Sequence, residues 1–360
     1  MMNNFKSPTH DGYWMPGEFE PHKACWMVWP QRGDTYRLKA VPAQKAFSDI
    51  ARAVLEFEPL NVCVSKEQFE LAKDKLPRQA NLVEMESDDA WVRDTGPSFV
   101  VNKTGDIRGI NWGFNAWGGI FSPFDQDAAL AGHILTHEKI LPYNAPLILE
   151  GGSFHVDGQG TLITTKECLL NPNRNPDLCQ QEIESYLKAY LGVKTIIWLE
   201  KGVFMDETDG HVDNLCAFAR PGEVVLTWTD DQSDPQFEIS NHAWEILSGA
   251  TDARGQKLKI HKIHQPGPLF ISEEESGGFD KVDDAKWRKQ GDRLAGSYVN
   301  FYMANNGIVM PLFDDPHDRD AIETLQKIFP ERKIIGVQTR EILLGGGNIH
   351  CMTQQQPSPA

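Results

Sequence analysis

Apolar residues recur at helical spacing in six stretches of the chain, and short runs rich in apolar and β-branched residues separate these stretches. The pattern predicts amphipathic helices over residues 43–56, 66–76, 127–141, 180–191, 237–247 and 318–328. The last five of these helices begin about 50 to 80 residues apart. Spacing this regular indicates a repeated structural unit.

Four strand-turn-strand patterns lie between the helices. Their sequences are AWVRDTGPSFVV-NKTGD-IRGINW, GGSFHV-DGQG-TLITT, GHVDNLCAFA-RPGE-VVLTW and SYVNFYMA-NNG-IVMPLF. Asp157-Gly158 and Asn306-Gly307 are strong hairpin signals, because both turns need residues that tolerate positive φ. Each first strand begins with small or polar residues and each second strand is almost wholly apolar, which is typical of buried sheets with one functional end.

Glycine lies beside a chemically reactive residue in these units, as in Asp94 followed by Gly96 and Glu150 followed by Gly151. Glycine at such positions allows the backbone or a ligand to approach closely. We therefore predict one α/β domain over residues 1–360, built of five ββαβ-like modules around a pseudo-rotational axis, with the starts of the first strands converging on a central site. The alternative is an ordinary mixed α/β domain whose hairpins recur by chance.

Two segments depart from this repeat. Residues 273–293 are polar, charged and poor in β-branched residues, so they are predicted to be an insertion in the last module. The insertion is either a solvated surface loop or a lid over a site. The tail at residues 354–360 is the one low-complexity tract and is predicted to be frayed.

Composition narrows the possible functions. The chain has 35 Lys and Arg against 51 Asp and Glu, which gives a formal net charge of −16. A protein that binds nucleic acid or an anionic membrane needs a basic surface, so the charge argues against both partners and favours a cationic small molecule. The chain is 40% apolar with ten Trp and eighteen Phe, which is ample for a folded core.

Cysteine usage and the amino-terminal segment indicate the compartment. The six cysteines are scattered and form no CxxC pair, so reduced thiols are expected. The first twenty residues contain no apolar h-region, and no run approaches the roughly 18 apolar residues that a membrane span requires. We therefore expect a cytoplasmic protein.

Acidic residues concentrate in two stretches, residues 88–94 and 206–213. Like charges this close raise one another's pKa unless an organic cation or a metal neutralises them. His211 and Asp213 lie two apart on a predicted strand and offer two metal ligands. Further ligands at a recognisable metal-site spacing are missing, so the pattern favours an organic cation and no metal. Arg93, inside the first stretch, is expected to pair with an acid.

Cys351 follows the run Gly345-Gly346-Gly347. An isolated cysteine is commonly a buried structural thiol, but three glycines permit an unusual backbone path that could bring the thiol into an open site. Adjacent residues on a strand point to opposite faces, so His350 is poorly placed to deprotonate Cys351 if this segment is extended. Among the eleven histidines, His211 is the best candidate for the base because carboxylates flank it.

Three tryptophans, Trp91, Trp112 and Trp117, lie near the first acidic stretch. Tryptophans are commonly core residues. Beside unpaired carboxylates, however, an aromatic wall suits a flat cation by stacking and cation–π attraction.

Five motifs together carry a resemblance to a known family. WVRDTGPSFV, NWGFNAWGG, LEGGSFHVDGQGT, DGHVDN and GGGNIHC resemble motifs of the agmatine deiminases (agmatine iminohydrolases) of the guanidine-modifying pentein superfamily. The likeness runs from MPGEFEPH to CMTQQQP, nearly the whole chain. It implies a pentein α/β-propeller of five modules, hydrolysis of agmatine to N-carbamoylputrescine and ammonia in putrescine and polyamine biosynthesis, no metal or organic cofactor, and a homodimer.

The resemblance also implies roles for individual residues. Cys351 matches the nucleophile, His211 the general acid and base, and Glu150 the carboxylate that orients the histidine. Asp94 and Asp213 match the pair that binds the guanidinium. Two carboxylates from different modules can hold this planar cation bidentately and fix its central carbon.

The expected chemistry is covalent. The carbon of a guanidinium is a poor electrophile, so a thiolate is a much better attacker than neutral water. Cys351 would add to this carbon and His211 would protonate the departing ammonia, which leaves an amidino-cysteine. Water activated by His211 would then expel the thiolate.

Substrate choice is expected to depend on the other end of the molecule. Agmatine ends in a primary ammonium and needs acids or aromatics, whereas free arginine needs cations for its α-carboxylate. Substrate contacts are therefore also predicted for Trp91, Trp117, Asp89, Glu207 and Gly347. The alternatives are a related deiminase acting on arginine or peptidyl-arginine, and a catalytically silent pentein binding module.

Overall fold

The computed structural model describes residues 7–282, 286 and 288–358. The strands are β1 Tyr13–Trp14, β2 His22–Val28, β3 Leu60–Val64, β4 Asn81–Glu84, β5 Ser98–Asn102, β6 Ile107–Gly113, β7 Pro142–Ile148, β8 Phe154–Val156, β9 Thr161–Thr165, β10 Thr195–Leu199, β11 Cys216–Arg220, β12 Glu223–Trp228, β13 Lys259–His264, β14 Leu269–Phe270, β15 Arg293–Leu294, β16 Tyr302–Ala304, β17 Gly307–Leu312, β18 Lys333–Gln338 and β19 Gln354–Pro357. The helices are α1 Val41–Val54, α2 Phe69–Lys75, α3 Val92–Thr95, α4 Ala116–Gly119, α5 Asp125–His137, α6 Lys166–Leu169, α7 Gln180–Leu191, α8 Gln236–Gly249, α9 Glu273–Ser276, α10 Asp318–Ile328 and α11 Arg340–Leu343. Three 3-10 turns span Lys66–Gln68, Gly151–Ser153 and Val212–Asn214.

Five sheets share one strand arrangement, in which an antiparallel pair is extended by a strand parallel to the second member. Their orders are β19-β2-β3-β4, β1-β5-β6-β7, β8-β9-β10, β11-β12-β13 and β16-β17-β18, and a separate ribbon pairs β14 with β15. Helices connect the parallel strands of each pair, as parallel pairing requires a long crossover. The predicted ββαβ order is therefore present along the chain in four of these sheets. In the fifth sheet the carboxyl-terminal β19 supplies the first strand, ahead of β2, α1 and β3.

The helices predicted from apolar periodicity are confirmed. α7 and α10 have the predicted bounds, and the others agree within a few residues. α5 ends at His137 rather than at residue 141, because Lys139 has a φ of 57° and Pro142 already begins β7. The predicted helix over 66–76 is a 3-10 turn that leads into α2.

α1 illustrates how these helices bind to the sheets. Its buried residues include Phe47, Ile50, Ala51 and Val54, which recur at the helical spacing and form one apolar face. Phe47 packs edge-on against Trp29, with ring centroids 5.4 Å apart. Burying a side chain of this size contributes roughly 1.5 to 3 kcal/mol of stability.

The predicted beginnings of three first strands are wrong. α3 precedes β5, and the 3-10 turns Gly151–Ser153 and Val212–Asn214 precede β8 and β11. α3 ends at Gly96-Pro97 because the residue before a proline avoids the helical region. His211 and Asp213 consequently lie in a tight turn and not on one face of a strand.

The prediction of a frayed tail is also wrong for residues 354–358, whereas residues 359 and 360 lie outside the described residues. β19 is buried and pairs antiparallel with β2. Gln356 accepts a hydrogen bond from Nε1 of Trp26 at 3.0 Å and donates one to Glu138 at 2.9 Å. A glutamine-rich strand can be buried when its amides find such partners, which composition alone does not reveal.

All six cysteines are unpaired thiols, as expected from their scattered positions, and Cys179 alone is exposed.

Within the part of the chain that the structure describes, no helix combines the length and apolar character needed to cross a bilayer.

We expect Gln356→Ala to lower the free energy of unfolding by about 1 to 3 kcal/mol, because it leaves the buried indole N–H of Trp26 without an acceptor. Urea denaturation followed by tryptophan fluorescence measures this change. Gln181→Ala, at an exposed position of α7, is the control and should change stability by less than about 0.5 kcal/mol. Equal changes in the free energy of unfolding for the two substitutions would contradict a stabilising role of the Gln356–Trp26 hydrogen bond in β19.

Candidate active site

The turns before the first strands bring their polar residues together around one pocket. The pocket is lined by Trp91, Asp94, Trp117, Ile120, Phe121, Glu207, Thr208, His211, Asn214, Gly345, Gly346, Gly347 and Cys351.

Cys351 lies at the pocket, in the turn before β19, and is only 7% exposed. Asn300 donates a hydrogen bond from Nδ2 to the Cys351 sulfur at 3.2 Å, and Oδ2 of Asp213 lies 3.5 Å from the same sulfur. A Cβ at Gly347 would lie 2.6 Å from the ring of Trp91 and 3.1 Å from Cβ of Cys351. The glycine is therefore needed for the thiol to reach the pocket.

Burial, Asp213 and Asp94 together raise the pKa of the Cys351 thiol well above its ordinary value. The hydrogen bond from Asn300 opposes this effect without cancelling it. The thiol is therefore protonated in the empty pocket, and a cation bound next to it would favour the thiolate.

His211 lies between two buried carboxylates. Its Nδ1 is 3.9 Å from Oδ1 of Asp94 and its Nε2 is 3.8 Å from Oε2 of Glu150. Burial lowers the pKa of His211, but Asp94, Cys168 and Glu150 outweigh it and hold this pKa well above its ordinary value. In the empty site His211 is therefore an imidazolium.

Glu150 is fully buried and is held by Arg174, whose Nε donates to Oε1 at 2.7 Å. Arg174 also donates to Oδ2 of Asp209 at 2.8 Å and to the carbonyl of Thr208 at 2.9 Å. Although burial raises the pKa of Glu150, His211 and Arg174 lower it below the ordinary value. Arg174 thus fixes an ionised carboxylate with its second oxygen facing His211.

Asp94, Asp213 and His211 meet around Gly152. A Cβ at this glycine would lie 2.6 Å from Nδ1 of His211, 2.8 Å from Oδ2 of Asp213 and 3.0 Å from Oδ1 of Asp94. The Gly152 N–H donates to Oδ1 of Asp94 at 2.8 Å. A residue without a side chain is therefore required for the three groups to come this close.

The pKa shifts of the two carboxylates differ in direction. Burial, together with repulsion from Asp213 and Glu150, raises the pKa of Asp94. A hydrogen bond from Nδ1 of His350 at 2.9 Å lowers the pKa of Asp213 below its ordinary value in spite of burial. Asp94 lines the pocket, whereas Asp213 is buried and is not among the lining residues. A cation next to the two carboxylates would favour the ionised form of Asp94.

Aromatic rings form one wall of the pocket. Trp117 donates from Nε1 to Oδ2 of Asp94 at 2.9 Å and packs edge-on against Phe121. Trp91 packs against the buried ring of Tyr36 at 5.7 Å. Trp112 lies elsewhere, in the core next to β8 and β9, so the structure brings two of the three predicted tryptophans to the pocket.

Glu207 also lines the pocket, and two cations hold it from outside. Nη2 of Arg288 lies 2.8 Å from Oε1 of Glu207, and Nζ of Lys286 lies 3.1 Å from Oε2. Both cations belong to the predicted insertion 273–293, of which residues 283–285 and 287 lie outside the described residues. Arg288 is buried, so the described part of the insertion reaches the pocket rim and is more than a solvated loop.

The structure does not bring Asp89 to the pocket. Its carboxylate accepts hydrogen bonds from the Thr35 hydroxyl at 2.7 Å and the Ala90 N–H at 2.8 Å. Burial raises the pKa of Asp89 to about 6. Three further acids of the two acidic stretches accept hydrogen bonds: Asp88 from the Gln126 N–H at the start of α5, Asp206 from the Thr208 hydroxyl, and Asp209 from Arg174.

Two groups of side chains could in principle hold a metal, since their ligand atoms lie within 4.8 Å of one another. They are Glu18 with His155 and His350, and Glu150 with Cys168 and His211. In each group an arginine already binds the carboxylate: Arg93 lies 3.1 Å from Glu18, and Arg174 lies 2.7 Å from Glu150. A guanidinium this close repels a metal cation, so the donor sets fit protons better than a metal.

Comparison with known proteins agrees with this geometry. The model of the Porphyromonas-type peptidyl-arginine deiminase family matches residues 14–357. The chain belongs to this family. It is 53% identical over 365 residues to the agmatine deiminase of Pseudomonas aeruginosa strain LESB58, covering 100% of this chain and 99% of the relative. A putative agmatine deiminase 1 of Listeria monocytogenes serotype 4b is 53% identical over 356 residues and 98% of each chain.

The family resemblance extends to three dimensions. The solved structure of Enterococcus faecalis agmatine deiminase has a TM-score of 0.97 and 44% identity, and covers 100% of this chain and 99% of that chain. The likeness to agmatine deiminases expected from the motifs is therefore confirmed, and the chain is an enzyme of the agmatine deiminase type with a mixed α/β fold.

Sequence reasoning missed three residues of this deiminase site. Asn300 lies in SYVNFYMA, ahead of β16 as Asp94 lies ahead of β5, so alignment of the hairpins could have found it. Glu18 lies in the quoted motif MPGEFEPH but was given no role. Arg174 carries no local signal. The expectation that Arg93 pairs with an acid is confirmed, and the acid is Glu18.

The raised pKa of Cys351 predicts slow alkylation of the empty enzyme. At pH 7 we expect iodoacetamide to modify Cys351 at least tenfold more slowly than the exposed Cys179, and we expect the Cys351 rate to keep rising above pH 9. Mass spectrometry of peptides from a timed reaction measures both rates. A Cys351 rate that is already maximal at pH 7 would contradict the raised pKa.

Proposed function

We propose that the enzyme hydrolyses agmatine to N-carbamoylputrescine and ammonia through a covalent amidino-cysteine intermediate. The observation that carries this proposal is that His211, Asp94 and Asp213 converge at Gly152 and that the sulfur of Cys351 lies 3.5 Å from the same Asp213 carboxylate. Relatives named agmatine deiminase support the substrate.

In the proposed complex Asp94 and Asp213 hold the guanidinium. A planar cation with forked N–H groups is suited to two carboxylates, and charge-assisted hydrogen bonds to ionised oxygens are the stronger kind. Because Asp213 lies 3.5 Å from the Cys351 sulfur, a guanidinium on this carboxylate has its carbon next to the thiol. The added positive charge lowers the pKa of Cys351, whose proton passes to solvent.

The thiolate then forms a bond to the guanidinium carbon. His211, an imidazolium in the empty site, gives its proton to one nitrogen, the C–N bond breaks, and ammonia leaves. Water next attacks the same carbon and gives a proton to the now neutral His211. The C–S bond breaks, the thiolate is restored, and the remaining hydroxyl proton passes to solvent to leave the neutral urea. Glu150, fixed by Arg174, keeps His211 in orientation for both transfers.

The pocket favours agmatine over arginine. Among the residues that line it in the described part of the chain, none is Lys or Arg. The two cations that contact the lining residue Glu207, Arg288 and Lys286, are already paired with its carboxylate, which argues against their binding the α-carboxylate of arginine. Glu207, Trp91 and Trp117 instead offer a carboxylate and aromatic faces to a primary ammonium. We assign Asp89 to support of the loop behind Trp91, and Gly347 to close approach of the backbone.

Peptidyl-arginine hydrolysis is the second candidate, because the matching family model carries that name. The narrow pocket, closed by Trp91, Trp117 and Phe121, argues against a peptide. A silent binding module would not need a nucleophile, an acid and two carboxylates together.

We also propose how the sheets are arranged and how the protein assembles. The five similar sheets would form one domain, a pseudo-fivefold propeller, in which each module contributes the turn before its first strand. We further propose a homodimer in the cytoplasm that supplies putrescine and polyamine synthesis, without a metal or organic cofactor.

Substrate preference tests the proposal. Ammonia release should be at least 100-fold faster, as kcat/KM, with agmatine than with free arginine or an arginyl peptide, because no Lys or Arg is among the described lining residues and the two cations beside Glu207 are already paired with it. A coupled glutamate dehydrogenase assay measures release. Equal or faster turnover of arginine would overturn the choice of substrate.

Cys351→Ser tests the covalent step. We expect turnover to fall by at least a factor of about 1,000 while agmatine still binds, since a serine hydroxyl is a much weaker nucleophile than a thiolate. Stopped assays and calorimetric titration measure the two effects, and mass spectrometry of acid-quenched wild type should reveal an adduct on Cys351. Cys179→Ser is the matched control, with unchanged turnover expected. Normal activity of Cys351→Ser would rule out the nucleophile.

A further inference from the structure

His350, the neighbour of the nucleophile in sequence, is buried between two carboxylates. Its Nδ1 lies 2.9 Å from Oδ2 of Asp213, and its Nε2 lies 2.9 Å and 3.0 Å from the two oxygens of Glu18. Its backbone N–H donates to Oδ1 of Asn300 at 3.0 Å. Both ring nitrogens of His350 therefore face an acceptor.

Both of these carboxylates are ionised. Arg93 donates to Glu18 at 3.1 Å, and this cation with His350 and His155 lowers the pKa of Glu18 well below its ordinary value against the effect of burial. The pKa of Asp213 is also lowered. An ionised carboxylate only accepts hydrogen bonds, so each nitrogen of His350 must carry a proton.

His155 behaves differently, although its ring lies 6.0 Å from that of His350. Its Nδ1 accepts a hydrogen bond from the Phe218 N–H at 3.3 Å, so its proton is on Nε2, which lies 3.4 Å from Oε2 of Glu18. His155 thus lies next to Glu18 without a hydrogen bond to it, and it has no hydrogen bond to Asp213 among the described residues.

We propose that His350 is a positioning residue, a buried imidazolium that binds Oδ2 of Asp213 and leaves Oδ1 for the guanidinium of the substrate. Oδ1 of Asp213 is buried and has no hydrogen-bond partner among the described residues. This inference rests on the proposed function, because it assigns the open oxygen to the cation that the enzyme hydrolyses.

The charged and titratable groups that face His350 support this assignment. The charged groups are Asp213 before β11, Glu18 before β2 and Arg93 on α3. The other titratable groups are Cys351 and His155. Burial and Arg93 lower the pKa of His350, but Glu18 and Asp213 outweigh them and raise it. The two acids, Arg93 and His350 together are neutral, so Asp213 remains ionised without an ion from solvent.

The raised pKa of His350 determines the direction in which agmatine binding depends on pH. His350 is charged below its pKa and loses its second proton as the pH rises through it. One hydrogen bond to a carboxylate is then lost, so agmatine should bind more weakly on the alkaline side. At alkaline pH, kcat/KM is therefore expected to fall partly because KM for agmatine rises. This rise in KM should be absent in a variant without His350.

Two variants and a matched control test the kinetic role. His350→Asn keeps one neutral donor near Asp213, and His350→Ala keeps none. We expect kcat/KM for agmatine to fall about tenfold and about 100-fold respectively, mainly through KM, because charged hydrogen bonds are about twice as strong as neutral ones. His155→Asn, equally buried and in contact with Glu18 but not Asp213, should change KM less than about threefold. A folded His350→Ala enzyme with an unchanged KM would overturn the inference.

Nitrogen NMR of histidine-labelled wild type tests the charge without activity. We expect both ring nitrogens of the resonance that His350→Asn removes to be protonated from pH 6 to 8. A neutral ring in an enzyme that hydrolyses agmatine would overturn the inference and leave the proposed function standing. A doubly protonated ring in an enzyme inactive on agmatine would reject the proposed function and support the charge state.

Discussion

The burial of four carboxylates around one small pocket is the constraint on which the rest of the structure depends. An unpaired buried charge costs several kcal/mol, so each acid needs a fixed partner. Arg174 binds Glu150, and Arg93 binds Glu18. Asp213 binds His350, whereas Asp94 has only the distant His211 and neutral donors. The acid with the weakest partner is the one whose pKa is raised, which marks the place where a cation is missing.

The fold brings these side chains together with one structural feature that recurs in several sheets. A short turn precedes the first strand of a sheet, and each turn carries a polar residue whose backbone is fixed by the strand that follows it. Where two of these turns lie against each other, a glycine such as Gly152 allows the close contact because it has no side chain. Because the polar groups come from separate sheets, the site is assembled only when these sheets have packed together.

The sequence predicted the parts of this arrangement that depend on local pattern. α7 and α10 follow from apolar spacing, and Cys351 and His211 follow from long motifs. Partners distant in the chain were missed, since the pairing of Arg174 with Glu150 leaves no trace in spacing. Asp89 was expected at the pocket because it lies in an acidic stretch, but the direction of its side chain depends on Thr35, far away in sequence. β19 was misjudged because composition does not show hydrogen-bond partners.

The protonation of the empty site follows from the same balance of charges. With Asp94 and Asp213 nearby, a further anion on Cys351 is unfavourable, so the thiol keeps its proton and His211 keeps its charge. In the proposed reaction a guanidinium would supply the missing positive charge, and the thiolate would form only when its target is present. A neutral urea product would carry no such charge and would no longer stabilise the thiolate next to two carboxylates. The electrostatic pairing that activates the thiol for substrate therefore also favours release of the product.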